Sequence, residues 1–166
     1  MESMEDKIKY RSILIFFALF LSIITFSNSH EIDLEDMAIK HPMIPIFNSK
    51  MKTAAGYFTI VNKKNEPDEL VMVKTDFAKA MMHKTKIDSN GIATMEHVNN
   101  VKIPANSSVV FEQGSLHIMF TELKEPLEEY IDQKVILVFK NSGNVEIDFQ
   151  VEKATNSNNI NQNHDH

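Results

Sequence analysis

The chain has 166 residues, enough for one domain with a real core and too few for two comfortable ones. Hydrophobic residues make up 43% and charged residues 24%, as in an ordinary globular protein, but there is no Cys, no Trp, and there are ten Met. A net charge of −6 with no lysine run gives nucleic acid no electrostatic footprint. The lack of Cys excludes a disulfide framework, a thiolate zinc site, a thiol redox centre, a bacterial lipoprotein anchor and a blue-copper electron-transfer site.

Residues 1–29 read as a secretory signal peptide. Ile13 to Phe26 is a 14-residue apolar run preceded by Lys7, Lys9 and Arg11. Ser27-Asn28-Ser29 places small residues before a cut at His30, and the run is short for a membrane span. Glu2, Glu5 and Asp6 offset the positive charge of the leader, so an uncleaved anchor is the alternative. With cleavage, no stable membrane insertion is expected of the mature chain.

The domain is expected over residues 30–154. From His30 to about Lys52 an Ile32/Leu34 alternation precedes Pro42 and Pro45, which predicts an edge strand followed by a loop. Short runs rich in Val, Ile, Phe and Tyr then recur at roughly ten-residue spacing. They are Gly56–Asn62, Glu69–Lys74, Ala80–Ile87, Ile92–Val98, Ser108–Glu112, Leu116–Glu122, Lys134–Lys140 and Val145–Val151. Turn residues separate them, as at Asn65-Glu66-Pro67-Asp68, Pro104-Ala105-Asn106 and Asn141-Ser142-Gly143-Asn144. No window sustains a long helical period, so the expected fold is all-β, a two-sheet sandwich or barrel. Residues 155–166 are Asn-rich and nearly without apolar side chains, the composition of a disordered tail.

The turn Asp88-Ser89-Asn90-Gly91 sets a register. A type I turn with a G1 bulge would pair Asp88 with Ile92, set His83 opposite His97 and place Met95 diagonally from His83. A two-residue turn at Asn90-Gly91 would shift the pairing by one and send His83 and Met95 to opposite faces. The bulged form is preferred because a metal site needs convergence.

His and Met concentrate in Met81-Met82-His83, Met95-Glu96-His97 and His117-Ile118-Met119. In each, a His and a Met lie two apart and leave one face of a strand together. A thioether is soft and uncharged and selects Cu(I) over hard ions, while imidazole suits copper in both oxidation states. Zinc would be expected to seek Cys, more His or a carboxylate. Met is also a common core filler, and strand His residues are commonly exposed or hydrogen-bonded. Composition and spacing alone leave a metal site and coincidence both open.

Residues Thr53 to Lys153 resemble the periplasmic copper chaperone family called PCu(A)C. The family's signature is a His, a Met twelve positions on, a His twenty-two further and a Met two beyond that. His83, Met95, His117 and Met119 fall at those separations. Ala54-Ala55-Gly56-Tyr57-Phe58-Thr59-Ile60 resembles the family's entry strand, Val101-Lys102-Ile103-Pro104-Ala105 its Ile-Pro-Ala turn, and Leu123-Lys124-Glu125-Pro126-Leu127 its Leu-Lys-x-Pro-Leu segment. Two positions depart from the pattern: Lys84 stands where many members have a Met, and Ala38-Ile39-Lys40 where they have Trp-x-Arg.

The resemblance implies a cupredoxin-like Greek-key β-barrel in the periplasm with Cu(I) held by His83, Met95, His117 and Met119 near its surface. It also implies copper delivery to the copper centre of a cytochrome c oxidase subunit, alongside a thiol-bearing assembly factor. His97 is expected as an exposed residue with an auxiliary ligand as the alternative, and Met81 as core. His164 and His166 around Asp165, or a new terminus at His30, are candidate additional Cu(II) ligands. Two other readings are carried. A copper-dependent redox enzyme would need an open coordination position and a nearby base, for which the segments offer only Glu96. A metal-free β-sandwich would bind a protein partner through its sheet face. No hydrolase or phosphate-binding motif appears, and the expectation is that the chain is not an enzyme.

Overall fold

The computed structural model describes residues 32–154. The expected signal peptide, the cut before His30 and the tail with His164 and His166 lie outside the described residues. Within them the chain forms eleven strands: β1 Ile32–Asp33, β2 Met37–Ile46, β3 Ala54–Asn62, β4 Asp68–Lys74, β5 Lys79–Ile87, β6 Ala93–His97, β7 Val101–Ile103, β8 Ser107–Phe111, β9 Leu116–Thr121, β10 Gln133–Phe139 and β11 Gly143–Lys153. Among the described residues there is no helix.

The period of two decides which side chains meet. In β3 every second residue from Ala54 to Asn62 is buried, and in β11 Val145, Ile147, Phe149 and Val151 are buried while the residues between them are not. Hydrogen bonding joins the strands in the order β6-β5-β9-β8-β3-β2-β11-β10-β4-β7, with β1 added to β2 and β9 also pairing β3. The sheet curls into an open half-barrel around the core, the all-β architecture expected.

Two parts of the sequence reading change. The stretch with Pro42 and Pro45 is no loop: both lie within β2, which runs between β3 and β11. The sheet tolerates them because each sits where the ladder to β3 is interrupted. Pairing with β3 skips from Lys40 to Met43, with His41 at φ 51° beside the bulge, and beyond Met43 the strand pairs only with β11, in parallel. The other change is β7, three residues that pair with β4 in the segment read as leading into a turn.

Aromatic rings fill the centre of the core. Phe58 stacks on Phe111 at 4.4 Å, and Phe149 meets Phe58 and Phe120 edge-on at 5.5 and 5.9 Å. Gly56 makes this possible, since a Cβ there would stand 2.7 Å from Phe120 Cε2 and 2.9 Å from Phe149 Cε1. The close approach also seats β3 against β9, where Gly56 is opposite Ile118 and Ala55 opposite Met119. Gly56→Ala should therefore displace two core rings and cost about 1–3 kcal/mol by overpacking, read as a lower urea midpoint with an unchanged slope.

Candidate metal centre

The β5–β6 turn adopts the bulged form. Asp88 Oδ1 accepts hydrogen bonds from the backbone N–H groups of Asn90 and Ile92 at 2.8 and 2.9 Å, and the Asp88 N–H donates to the Ile92 carbonyl at 3.0 Å. Gly91 takes φ +80°, the left-handed conformation that a G1 bulge requires. The ladder then pairs Ile87 with Ala93, Thr85 with Met95 and His83 with His97.

On its other edge β5 pairs with β9, setting His83 opposite His117 and Met81 opposite Met119. Three imidazoles thus form a row across three strands, His97–His83–His117, on one face of the sheet. The His83 ring lies edge-on to both neighbours, with centroids 5.8 Å from His97 and 5.9 Å from His117. Met95 and Met119 sit one rung from the row in opposite directions, each diagonal to His83, and such diagonals span about 7–8 Å, within reach of long side chains.

Exposure grades along the row. His117 is 4% exposed, His83 is half-buried and His97 is exposed. The His117 Nδ1–H donates to the Ser115 carbonyl at 3.0 Å, and because a carbonyl only accepts, Nε2 is left as the nitrogen with a free lone pair. The two other buried polar side chains have partners. Asn62 bonds the Glu66 and Pro104 carbonyls and the Lys64 N–H, while Asp68 accepts from Glu69, Asn141 and Ser142. By contrast His83 Nδ1 is buried and without a hydrogen-bond partner among the described residues, a costly state unless something else occupies its lone pair.

Met95, His117 and Met119 line a shallow cleft of about 290 Å³ together with Thr85, Tyr57 and Met51. His83 stands beside His117 and is not part of its wall. Met95 is 62% exposed on the edge strand, so the cleft opens to solvent. Among the described residues no three His, Cys, Asp or Glu side chains are grouped so that they could hold a metal ion. A metal here would therefore have to use thioether sulfur, and the four residues supply two imidazoles and two thioethers, all uncharged donors that suit Cu(I). Burial pushes the Tyr57 phenol up, so it remains neutral and does not compete as an anionic ligand.

Glu96 is turned to the opposite face of the hairpin, with its carboxylate 2.5 Å from Lys86 Nζ. Met81 is not core: β5 sends Met82, at 4% exposure, into the core, and Met81 lies half-buried beside His83 on the other face. Tyr57 and Met51 went unread as cleft residues. The alternation of β3 shows Tyr57 sharing a face with Ala55, but Met51 reaches the cleft through the segment after β2, which has no periodic signal.

The curled sheet and its His/Met face define a cupredoxin-like β domain. The chain belongs to the LpqE-like family, whose model matches residues 33–151. That family is described as lipoprotein, although none of these 166 residues is a Cys to which a lipid could be attached. Among solved structures, the chain is similar to the copper-bound PCuAC domain from PmoF2, at 25% identity over 75% of this chain and 99% of that one, with TM-score 0.62. It is also similar to the apo PCuAC domain from PmoF1, at 25% identity over 75% and 100%, with TM-score 0.65. The solution structure of CuI-DR1885 from Deinococcus radiodurans shares the fold at 22% identity over 80% and 86%, with TM-score 0.58. No curated protein matches the chain in sequence.

Burial and then the neighbouring imidazoles of His117 and His97 hold the His83 pKa below its ordinary value near 6.5. Below pH 6.5 the unfolded chain therefore binds a proton at this residue that the folded chain does not. The metal-free protein should lose stability as pH falls from 6.5 toward the depressed folded value. Urea titrations at successive pH values should show this loss in the wild type and a shallower one in His83→Gln.

Proposed function

We propose that this protein is an exported copper chaperone that holds one Cu(I) ion with His83, Met95, His117 and Met119 and passes it to an acceptor protein. The observation that carries the proposal is the shared register of β6, β5 and β9. It brings two imidazoles and two thioethers to one face and leaves His83 Nδ1 buried without a partner. The copper-bound PCuAC domain from PmoF2 and CuI-DR1885, both similar in fold, support the choice of metal and of Cu(I).

Chaperoning requires affinity without burial, because the acceptor's ligands must arrive before the donor's have all left. The placement of the residues supports this reading. His117 is buried and fixed by Ser115, whereas Met95 lies exposed on an edge strand where an acceptor can approach. Neutral donors leave the ion its full charge, which favours hand-over to a thiolate-bearing acceptor. An assembly factor of that kind, or the copper centre of a cytochrome c oxidase subunit, is the recipient we favour, in the periplasm. The copper-enzyme reading loses its one nearby base, since Glu96 lies on the other face paired with Lys86.

An anaerobic competition titration should show one Cu(I) per protein. Met95→Ala and His117→Ala should each weaken binding at least tenfold, about 1.4 kcal/mol, with thermal unfolding showing both variants folded. Binding that survives both substitutions would favour the partner-binding reading instead.

A further inference from the structure

His97 lies outside the four-residue set, yet it stands directly opposite His83 and its ring is as close to His83 as that of His117. An imidazole nitrogen bonds a metal at about 2.0–2.1 Å, so two rings sharing an ion have centroids on the order of 5–6 Å apart. Both pairs in the row, His117/His83 and His83/His97, have this spacing. All three rings cannot share one ion as they stand. Strand β5 separates β6 from β9, putting His97 and His117 roughly 9–10 Å apart at Cα, and no three His, Cys, Asp or Glu among the described residues are grouped to hold a metal. The row is therefore two overlapping pairs with His83 common to both, graded from buried His117 to exposed His97.

We infer that His97 is an exit ligand: it takes over the ion from His117 and presents it to the acceptor at the β6 edge. This rests on the Cu(I) reading above. In the step, a bond forms from a His97 ring nitrogen to copper while the bonds from His117 and Met119, both on β9, break, with His83 and Met95 keeping hold. Copper stays Cu(I), no electron moves, and neutral imidazoles exchange without gaining or losing a proton. The acceptor's ligand then displaces His97, whose strand has all five residues exposed and, among the described residues, an unpaired outer edge. Without His97 the bond to buried His117 must break before any replacement arrives, which raises the barrier to release but barely alters the resting complex.

The test loads the purified protein with one equivalent of Cu(I) and mixes it anaerobically with excess bicinchoninate, a coloured Cu(I) chelator, in a stopped-flow instrument. His97→Ala should slow copper release about tenfold, the effect of roughly 1.4 kcal/mol on the barrier. Equilibrium affinity should stay within about threefold of wild type. His97→Met, which restores a soft donor at the same edge, should recover most of the rate. An unchanged release rate in His97→Ala, or affinity and rate changing by the same factor, would overturn the proposal. Wild-type protein that takes up no Cu(I) would instead overturn the copper reading on which it rests.

Discussion

Everything at the candidate centre depends on the register of β5 with its two neighbours, and one turn fixes half of it. Asp88 closes the hairpin with two side-chain hydrogen bonds and Gly91 supplies the left-handed residue, so β6 meets β5 with His97 opposite His83. A slip by one residue would turn Met95 and His97 to the opposite face from His83, because side-chain direction alternates strictly along a strand. The other half of the register comes from β9, which Gly56 and the Phe120–Phe149 packing seat against β3. Core packing on one face of β9 thereby sets where His117 and Met119 stand on the other.

The electrostatics of the row follow from the same placement. Two imidazoles flank His83 while burial disfavours its charge, which favours the neutral ring and the one nitrogen lone pair it offers. Among the described residues the other buried polar side chains are bonded and His83 Nδ1 is not, and in the proposed function it is Cu(I) that would take up its lone pair. Exposure does the opposite work at the edge, where Met95 and His97 remain accessible.

Much of this was legible in the sequence, and the exceptions have physical causes. The turn residues narrowed the β5–β6 register to two alternatives, and the need for His83 and Met95 to converge selected the bulged one, which the Asp88 hydrogen bonds and Gly91 bear out. The spacing of the His and Met residues could be read because strands send alternate residues to one face. Strand β2 was hidden because Pro usually ends pairing, and nothing local reveals that β3 skips Pro42 or that Pro45 lies beyond its ladder. Strand β7 is too short for a pattern of its own and exists because β4 offers it an edge. Met81 lies off the core because parity on β5 is set by Met82, which faces the core, and local sequence does not say which of two adjacent Met residues turns inward. Met51 enters the cleft through a connection whose course depends on the whole sheet.

The most direct test of the central claim, that this register converges imidazole and thioether donors on one copper ion, is X-ray absorption spectroscopy of the protein loaded anaerobically with one equivalent of Cu(I). Copper should show both nitrogen and sulfur neighbours, and the sulfur contribution should vanish in the Met95→Ala/Met119→Ala double variant. A spectrum with nitrogen or oxygen neighbours alone, unchanged by that double substitution, would contradict it.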